Sequence, residues 1–96
     1  MPLYVYRGID TPDSADKRPG ARQRHLDHIA AADADGRIRF AGPLLDESGA
    51  ACGSVIVFEA ETFAGARQFA EADPYLALGV FERVEVFETK TVFPSP

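Results

Sequence analysis

The segment from Gly53 to Ala60 places apolar side chains on both faces of a predicted strand, and this pattern constrains the fold more than any other feature. Side chains alternate along a strand, so Val55 and Val57 lie on one face. Ile56 and Phe58 then lie on the other face. Such a pattern is typical of a sheet that is buried on both sides. Both faces of this sheet therefore need a covering layer.

The whole chain predicts four strands and two helices in the order β-α-β-β-α-β. The second strand carries Ile38 and Phe40 and runs into Gly42-Pro43, which places it at a sheet edge or ends it there. Thr62 is the predicted cap of the second helix. The predicted elements are a strand over Leu3–Ile9, a helix from about Lys17 to Ala34, the strand that begins near Ile38, a strand over Gly53–Ala60, the helix after Thr62, a turn over Pro74–Leu78 and a strand from Val80 to about Val92.

This order matches the split pattern of a ferredoxin-like domain. We therefore predict one α+β domain over residues 1–96, with a four-stranded antiparallel sheet and two helices on one face. The other face would be an apolar patch too large for a soluble monomer. We expect a second copy of the chain to cover it, which gives a homodimer of the dimeric α+β barrel type.

Composition and charge exclude several classes of function. Asp and Glu number 15 against 10 Lys and Arg, so the net charge of −5 provides no basic field for nucleic acid. The N-terminus does not resemble a signal peptide, and no apolar stretch approaches the roughly 20 residues that cross a bilayer, so we expect a cytoplasmic protein without a membrane partner. Cys52 has no second cysteine to pair with, and we interpret it as an incidental small residue.

Asp73 falls on the apolar side of the second predicted helix. Four apolar residues recur there at helical spacing, namely Phe63, Ala66, Phe69 and Ala70. At about 100° per residue, Asp73 lies within their stripe. A buried carboxylate without a partner is strongly unfavourable, so Asp73 needs a partner such as an imidazole. The chain has two histidines, His25 and His28.

His25 is the better placed of the two histidines. It lies about 40° from Ile29 on the first helix, at the edge of the core, whereas His28 turns away and is more exposed. We therefore predict that His25 contacts Asp73. A carboxylate hydrogen-bonded to one ring nitrogen makes the other nitrogen a general acid or base. The alternative is that His25 and Asp73 only satisfy each other's hydrogen bonds at a helix-sheet boundary. His28 points elsewhere and no fourth ligand is apparent, so we predict no metal site.

Other residues are candidates for substrate binding. Arg22 lies one turn before His25 and could bind an anionic group, or could belong to a solvated helix face. Gly42-Pro43 could let a ligand approach the backbone closely, or could form only a turn. Tyr75 could supply a ring wall or a hydroxyl donor, or could simply pack in the core. Ser54 has no histidine nearby in sequence, so nothing supports a nucleophilic role.

Several motifs along most of the chain resemble the YCII-related (YciI-like) family. They are Arg18-Pro19, His25-Leu26, Ala41-Gly-Pro43, Gly53-Ser-Val-Ile-Val57, Glu71-Ala-Asp-Pro-Tyr75 and Gly79 to Val86. The resemblance implies that His25 and Asp73 form a catalytic pair in a small cofactor-independent enzyme. It also implies a lyase or isomerase acting on a small oxygenated ring, since the family resembles muconolactone isomerases in architecture and one family activity is dehydrochlorination of a chlorinated hydroxyquinol-type aromatic. The alternative is a non-catalytic ligand-binding or dimerisation module.

Overall fold

The computed structural model describes residues 1–95, which form four strands and three helices. The strands are β1 (Leu3–Asp10), β2 (Ile38–Leu45), β3 (Ala51–Glu59) and β4 (Phe81–Thr89). The helices are α1 (Ser14–Ala34), α2 (Phe63–Glu71) and α3 (Pro74–Ala77). The strands form one antiparallel sheet in the order β2-β3-β1-β4. The predicted α+β class, ferredoxin-like and of the type found in dimeric α+β barrels, is confirmed.

The structure differs most from the sequence predictions in the start of α1, the end of β4 and residues 74–77. α1 begins at Ser14 instead of Lys17, so Pro19 lies inside the helix, where it cannot donate a backbone hydrogen bond. β4 ends at Thr89 and does not reach Val92. Residues 74–77, predicted as part of a turn, form the short helix α3. Among the described residues 1–95, no helix is long and apolar enough to cross a membrane.

The edge position of β2 explains why a proline is tolerated inside it. β2 runs through Pro43 to Leu45 and pairs only with β3. The missing N–H of Pro43 therefore interrupts no ladder between two neighbours, as expected for proline in an edge strand.

The two faces of the sheet have different surroundings. One face carries Ile56 and Phe58, both fully buried, and packs against α2 through Ala66 and Ala70. The other face carries Val57, which is only partly buried. We call it the open face; it also includes Val5, Val55, Phe40 and Phe87, and the two phenylalanines are 57% and 56% exposed.

Candidate active site

Asp73 lies between α2 and α3 and is completely buried. An aspartate followed by proline is a favourable helix start, because the carboxylate caps the helix and the missing N–H of Pro74 is not needed at the first position. Accordingly, the Tyr75 N–H donates to Asp73 Oδ1 at 3.0 Å. The Tyr6 hydroxyl, from β1, donates to Oδ2 at 2.8 Å. These donors compensate the burial of the carboxylate.

His25 of α1 is the third partner of Asp73. Its Nδ1–H donates to Oδ1 at 2.8 Å and to Oδ2 at 3.0 Å. The imidazole side chain is only 12% exposed. With the proton held on Nδ1, the other ring nitrogen, Nε2, has a free lone pair and receives no hydrogen bond from residues 1–95. This is the tautomer in which Nε2 can accept a proton from a bound molecule.

Aromatic rings fix the orientation of the His25 imidazole. The Tyr75 ring stacks on it with centroids 3.9 Å apart and planes 1° apart. Phe81 presents its edge at 6.3 Å and also packs against Tyr75. The Phe81 ring occupies the space beside Gly8, where a Cβ would come within 2.3 Å of the ring. Gly8 therefore leaves room for Phe81 to pack against both His25 and Tyr75.

A cavity of about 580 Å³ opens beside His25. Its size falls in the range of small-molecule sites, roughly 300 to 1,000 Å³. α1 forms one wall, and the edge strand β2 contributes a second. Its lining residues include Arg18, Arg22, His25, Leu26 and Ile29 of α1, Gly42 and Pro43 of β2, Ser54 of β3 and Tyr75 of α3. A ligand in this cavity would contact largely apolar walls and a few polar groups.

Arg18 lines the cavity and links three elements, α1, β1 and β3. Its Nε and Nη2 donate to the two oxygens of Asp10 at 2.8 and 2.9 Å. Nη2 also donates to the Gly53 carbonyl at 2.9 Å and to Ser54 Oγ at 3.3 Å. Burial opposes the charge of Arg18, but the hydrogen bonds and charge of Asp10 outweigh it and raise the arginine pKa above its ordinary value.

Tyr75 lines the same cavity as Arg18 and Arg22, and the Arg18 guanidinium carbon lies 5.1 Å from the centroid of the Tyr75 ring. Its pKa is raised, chiefly because burial disfavours the phenolate. The positive charges of Arg18 and Arg22 act in the opposite direction. The hydroxyl therefore stays protonated near neutral pH and can donate a hydrogen bond to a ligand.

His28 does not take part in this arrangement. Its Nε2–H donates to the Phe69 carbonyl at 2.9 Å, and its ring stacks on Phe69 at 4.4 Å. It is partly buried between α1 and α2. Within residues 1–95, no three His, Cys, Asp or Glu side chains are grouped closely enough to hold a metal ion.

Comparison with known sequences assigns the chain to a family. The sequence pattern of the YCII-related domain matches residues 2–90. The chain belongs to the YCII-related family. Protein YciI of Escherichia coli O6:H1 is 39% identical over 97 residues, which cover 95% of this chain and 99% of the relative. An uncharacterized protein of Haemophilus influenzae is 32% identical over 96 residues, covering 94% and 98% of the two chains.

A solved structure of an enzyme is also similar to this YCII-related chain. It is 5-chloro-2-hydroxyhydroquinone dehydrochlorinase (TftG) from Burkholderia phenoliruptrix AC1100, in complex with 2,5-dihydroxybenzoquinone. The TM-score is 0.79 at 27% sequence identity, and the match covers 92% of this chain and 93% of TftG.

The structure brings together the site residues that the sequence indicated. His25, Arg22, Tyr75 and Gly42-Pro43 all line the cavity, and Asp73 lies behind His25. Their catalytic and substrate-binding roles remain predictions. In this YCII-related chain, the sequence indicated no site role for Tyr6, for Arg18, which was named only in a family motif, or for Ser54, which was considered only as a nucleophile. Tyr6 could have been found from its position, because a buried tyrosine hydroxyl usually has a hydrogen-bond partner.

The hydrogen bond from Tyr6 to Asp73 gives a direct prediction for stability. Replacing Tyr6 with phenylalanine should lower the free energy of unfolding by about 1–3 kcal/mol, because the buried carboxylate loses a donor. Tyr4→Phe is the matched control: Tyr4 lies on the same strand and face, and its hydroxyl makes no hydrogen bond within residues 1–95. Urea unfolding of both variants measures the difference, and equal losses would contradict the prediction.

Proposed function

We propose that this chain is a small cofactor-independent enzyme of the lyase or isomerase type, which moves a proton on a small oxygenated or aromatic-derived substrate. His25 is the general acid or base in this proposal, and Asp73 orients it. The observation that carries the proposal is the contact of His25 Nδ1 with the buried Asp73 carboxylate at 2.8 Å, which leaves Nε2 for a ligand. Proton transfer by a positioned imidazole is the chemistry that this geometry supports best.

The structurally similar enzyme TftG supports a small oxygenated ring as the class of substrate. TftG is named as a dehydrochlorinase of a hydroxylated, chlorinated ring, and its structure contains 2,5-dihydroxybenzoquinone. A ring of that size fits the volume of the cavity here, about 580 Å³. Leu26 and Ile29 would pack against the ring, Gly42 and Pro43 would form a second wall, and Tyr75 would donate to a ring oxygen.

Each residue has a distinct part in the proposed proton transfer. Asp73 holds the proton on Nδ1, so the lone pair of Nε2 can remove a proton from an acidic carbon or hydroxyl of the substrate. The imidazolium that forms is stabilised by the negative charge of Asp73. His25 then returns the proton at another position, or to a leaving group. Tyr75 and Arg22 would stabilise the oxygen on which negative charge develops.

The experiment measures proton exchange, which requires no knowledge of the complete reaction. The protein is incubated in D₂O with 2,5-dihydroxybenzoquinone and related hydroxylated rings, and deuterium uptake at ring carbons is followed by mass spectrometry. We expect uptake faster than in buffer and saturable in substrate. Saturable binding of these rings without faster exchange would support the alternative, a non-catalytic ligand-binding module.

We further propose that the protein is a homodimer and that the open face is its interface. This face exposes Phe40 and Phe87 and also carries Val5, Val55 and Val57. The helices of the same chain pack on the opposite face. Because several exposed apolar side chains on one sheet face are unfavourable in water, a second copy with the same surface is a suitable partner.

A further inference from the structure

The charged residues that line the cavity are of one sign. Arg18, Arg22 and the titratable His25 are among its lining residues, whereas no Asp or Glu is. The chain as a whole carries a net charge of −5, so the cavity differs in sign from the rest of the protein. Inside a partly enclosed site, charges interact more strongly than in bulk water. A cavity arginine without a neighbouring carboxylate therefore favours a negatively charged ligand.

Arg18 contributes little net charge, because Asp10 neutralises it. The two side chains form a bidentate pair at 2.8 and 2.9 Å, and the Asp10 side chain is only 4% exposed. The remaining contacts of Arg18, to Gly53 and Ser54, hold it against β3. The net charge of this ion pair is close to zero, so it attracts a substrate anion less strongly than an unpaired arginine does.

Arg22 is the cation that remains. No carboxylate of residues 1–95 lies within 4.0 Å of its guanidinium. It is three residues before His25 on α1, so the two side chains are neighbours on one helix face. Its charge also acts on the Tyr75 hydroxyl, where it works to lower the pKa of that phenol. Arg22 and Tyr75 both line the cavity, so both can donate to a group that is bound there.

We infer that the cavity selects a small planar organic monoanion, whose delocalised oxygen charge is bound by the guanidinium of Arg22 and by the Tyr75 hydroxyl. A carboxylate or an acidic ring enolate has this chemistry, and the forked guanidinium matches two oxygens of such a group. The apolar part of the ligand packs against Leu26 and Ile29. This inference rests on the proposed function, because it describes the substrate of the same cavity.

The test compares two ligands of nearly equal shape that differ in charge, benzoate and benzamide. Dissociation constants are measured by NMR titration for the unmodified protein, Arg22→Gln and Arg24→Gln. Arg24 is the matched control, since it is an exposed arginine of α1 that does not line the cavity. We expect benzoate to bind about 10- to 100-fold more tightly than benzamide, as a charge-assisted pair predicts. Arg22→Gln should abolish that preference, and Arg24→Gln should keep it.

The possible outcomes separate this inference from the proposed function. Absence of saturable benzoate binding, equal binding of the two ligands, or a preference that survives Arg22→Gln would overturn the inference. An Arg22-dependent preference without catalysed deuterium exchange would leave the monoanion site standing and remove the acid-base function. A preference for the enolate of cyclohexane-1,3-dione, which is a ring monoanion, over benzoate, lost in Arg22→Gln, would support the site and identify a ring oxygen as its ligand group.

Discussion

Replacing His25 with alanine is expected to lower turnover by a factor of about 10² to 10⁴ while the protein stays folded. The loss arises because His25 is the base whose Nε2 is free to accept a substrate proton. Its ring is 12% exposed and contacts Tyr75, so its removal enlarges the cavity but leaves the core residues Ile56 and Phe58 in place. Turnover is measured on a ring that shows exchange, and circular dichroism reports on the fold.

His28→Ala is the matched control for this experiment. His28 is on the same helix and is also stacked on an aromatic ring, but it contacts Phe69 and does not line the cavity. Its removal should change stability and not the chemical step. Unchanged turnover in a folded His25→Ala protein would refute the proposed mechanism and leave the ligand-binding module as the better explanation.

Asp73→Asn extends the same prediction to the residue behind the histidine. Asparagine has nearly the volume of aspartate, but it removes the negative charge that stabilises the imidazolium and can favour the wrong histidine tautomer. We expect turnover to fall by an amount similar to that in His25→Ala. Because the two residues act as a unit, the double variant should be only slightly worse than the poorer single variant. Fully additive losses would show that they act independently.

The pairing of His25 with Asp73 was predictable because helical periodicity determines which side of a helix a residue occupies. The spacing predicts Asp73 in the apolar stripe of the second helix and His25 at the edge of the first. In the structure α2 ends at Glu71 and Asp73 begins α3, but its side chain is still completely buried and contacts His25. The edge position of β2 was also predictable from one residue, because Pro43 lacks the N–H that a strand between two neighbours needs. Single-element patterns of this kind can be interpreted without knowing what packs against them.

Contacts that join several elements were not predictable in the same way. Arg18 is part of a helix with many charged residues, and only the tertiary structure shows that it reaches Asp10 on β1 and Gly53 on β3. α3 was interpreted as a turn because four residues carry too little periodicity to indicate a helix. The cavity itself depends on the distance between α1 and the edge strand, which no local pattern specifies.

The open face gives the second large prediction, which uses two neighbouring residues of β3. Val57→Glu places a charge on the open face, where Val57 lies between Val5 and Phe40. Ile56→Glu places the same charge on the opposite face, in the fully buried core. A buried charge without a partner is highly unfavourable in either place. On the open face it opposes association of two chains, and in the core it opposes folding of one chain. We expect Val57→Glu to dissociate the dimer and Ile56→Glu to unfold the chain.

Light scattering and circular dichroism distinguish these results. The unmodified protein should have about twice the 10.4 kDa mass of one chain, whereas Val57→Glu should be monomeric with a native spectrum. Phe87→Glu provides a second open-face variant in case Val57→Glu unfolds, because Phe87 is 56% exposed in the single chain and its charge would remain hydrated in a monomer. A monomeric unmodified protein at micromolar concentration would refute the homodimer, and a dimer that survives both open-face substitutions would place the interface elsewhere. The contrast with Ile56→Glu shows whether the apolar residues on the two faces of β3 serve separate purposes, one in folding and the other in assembly.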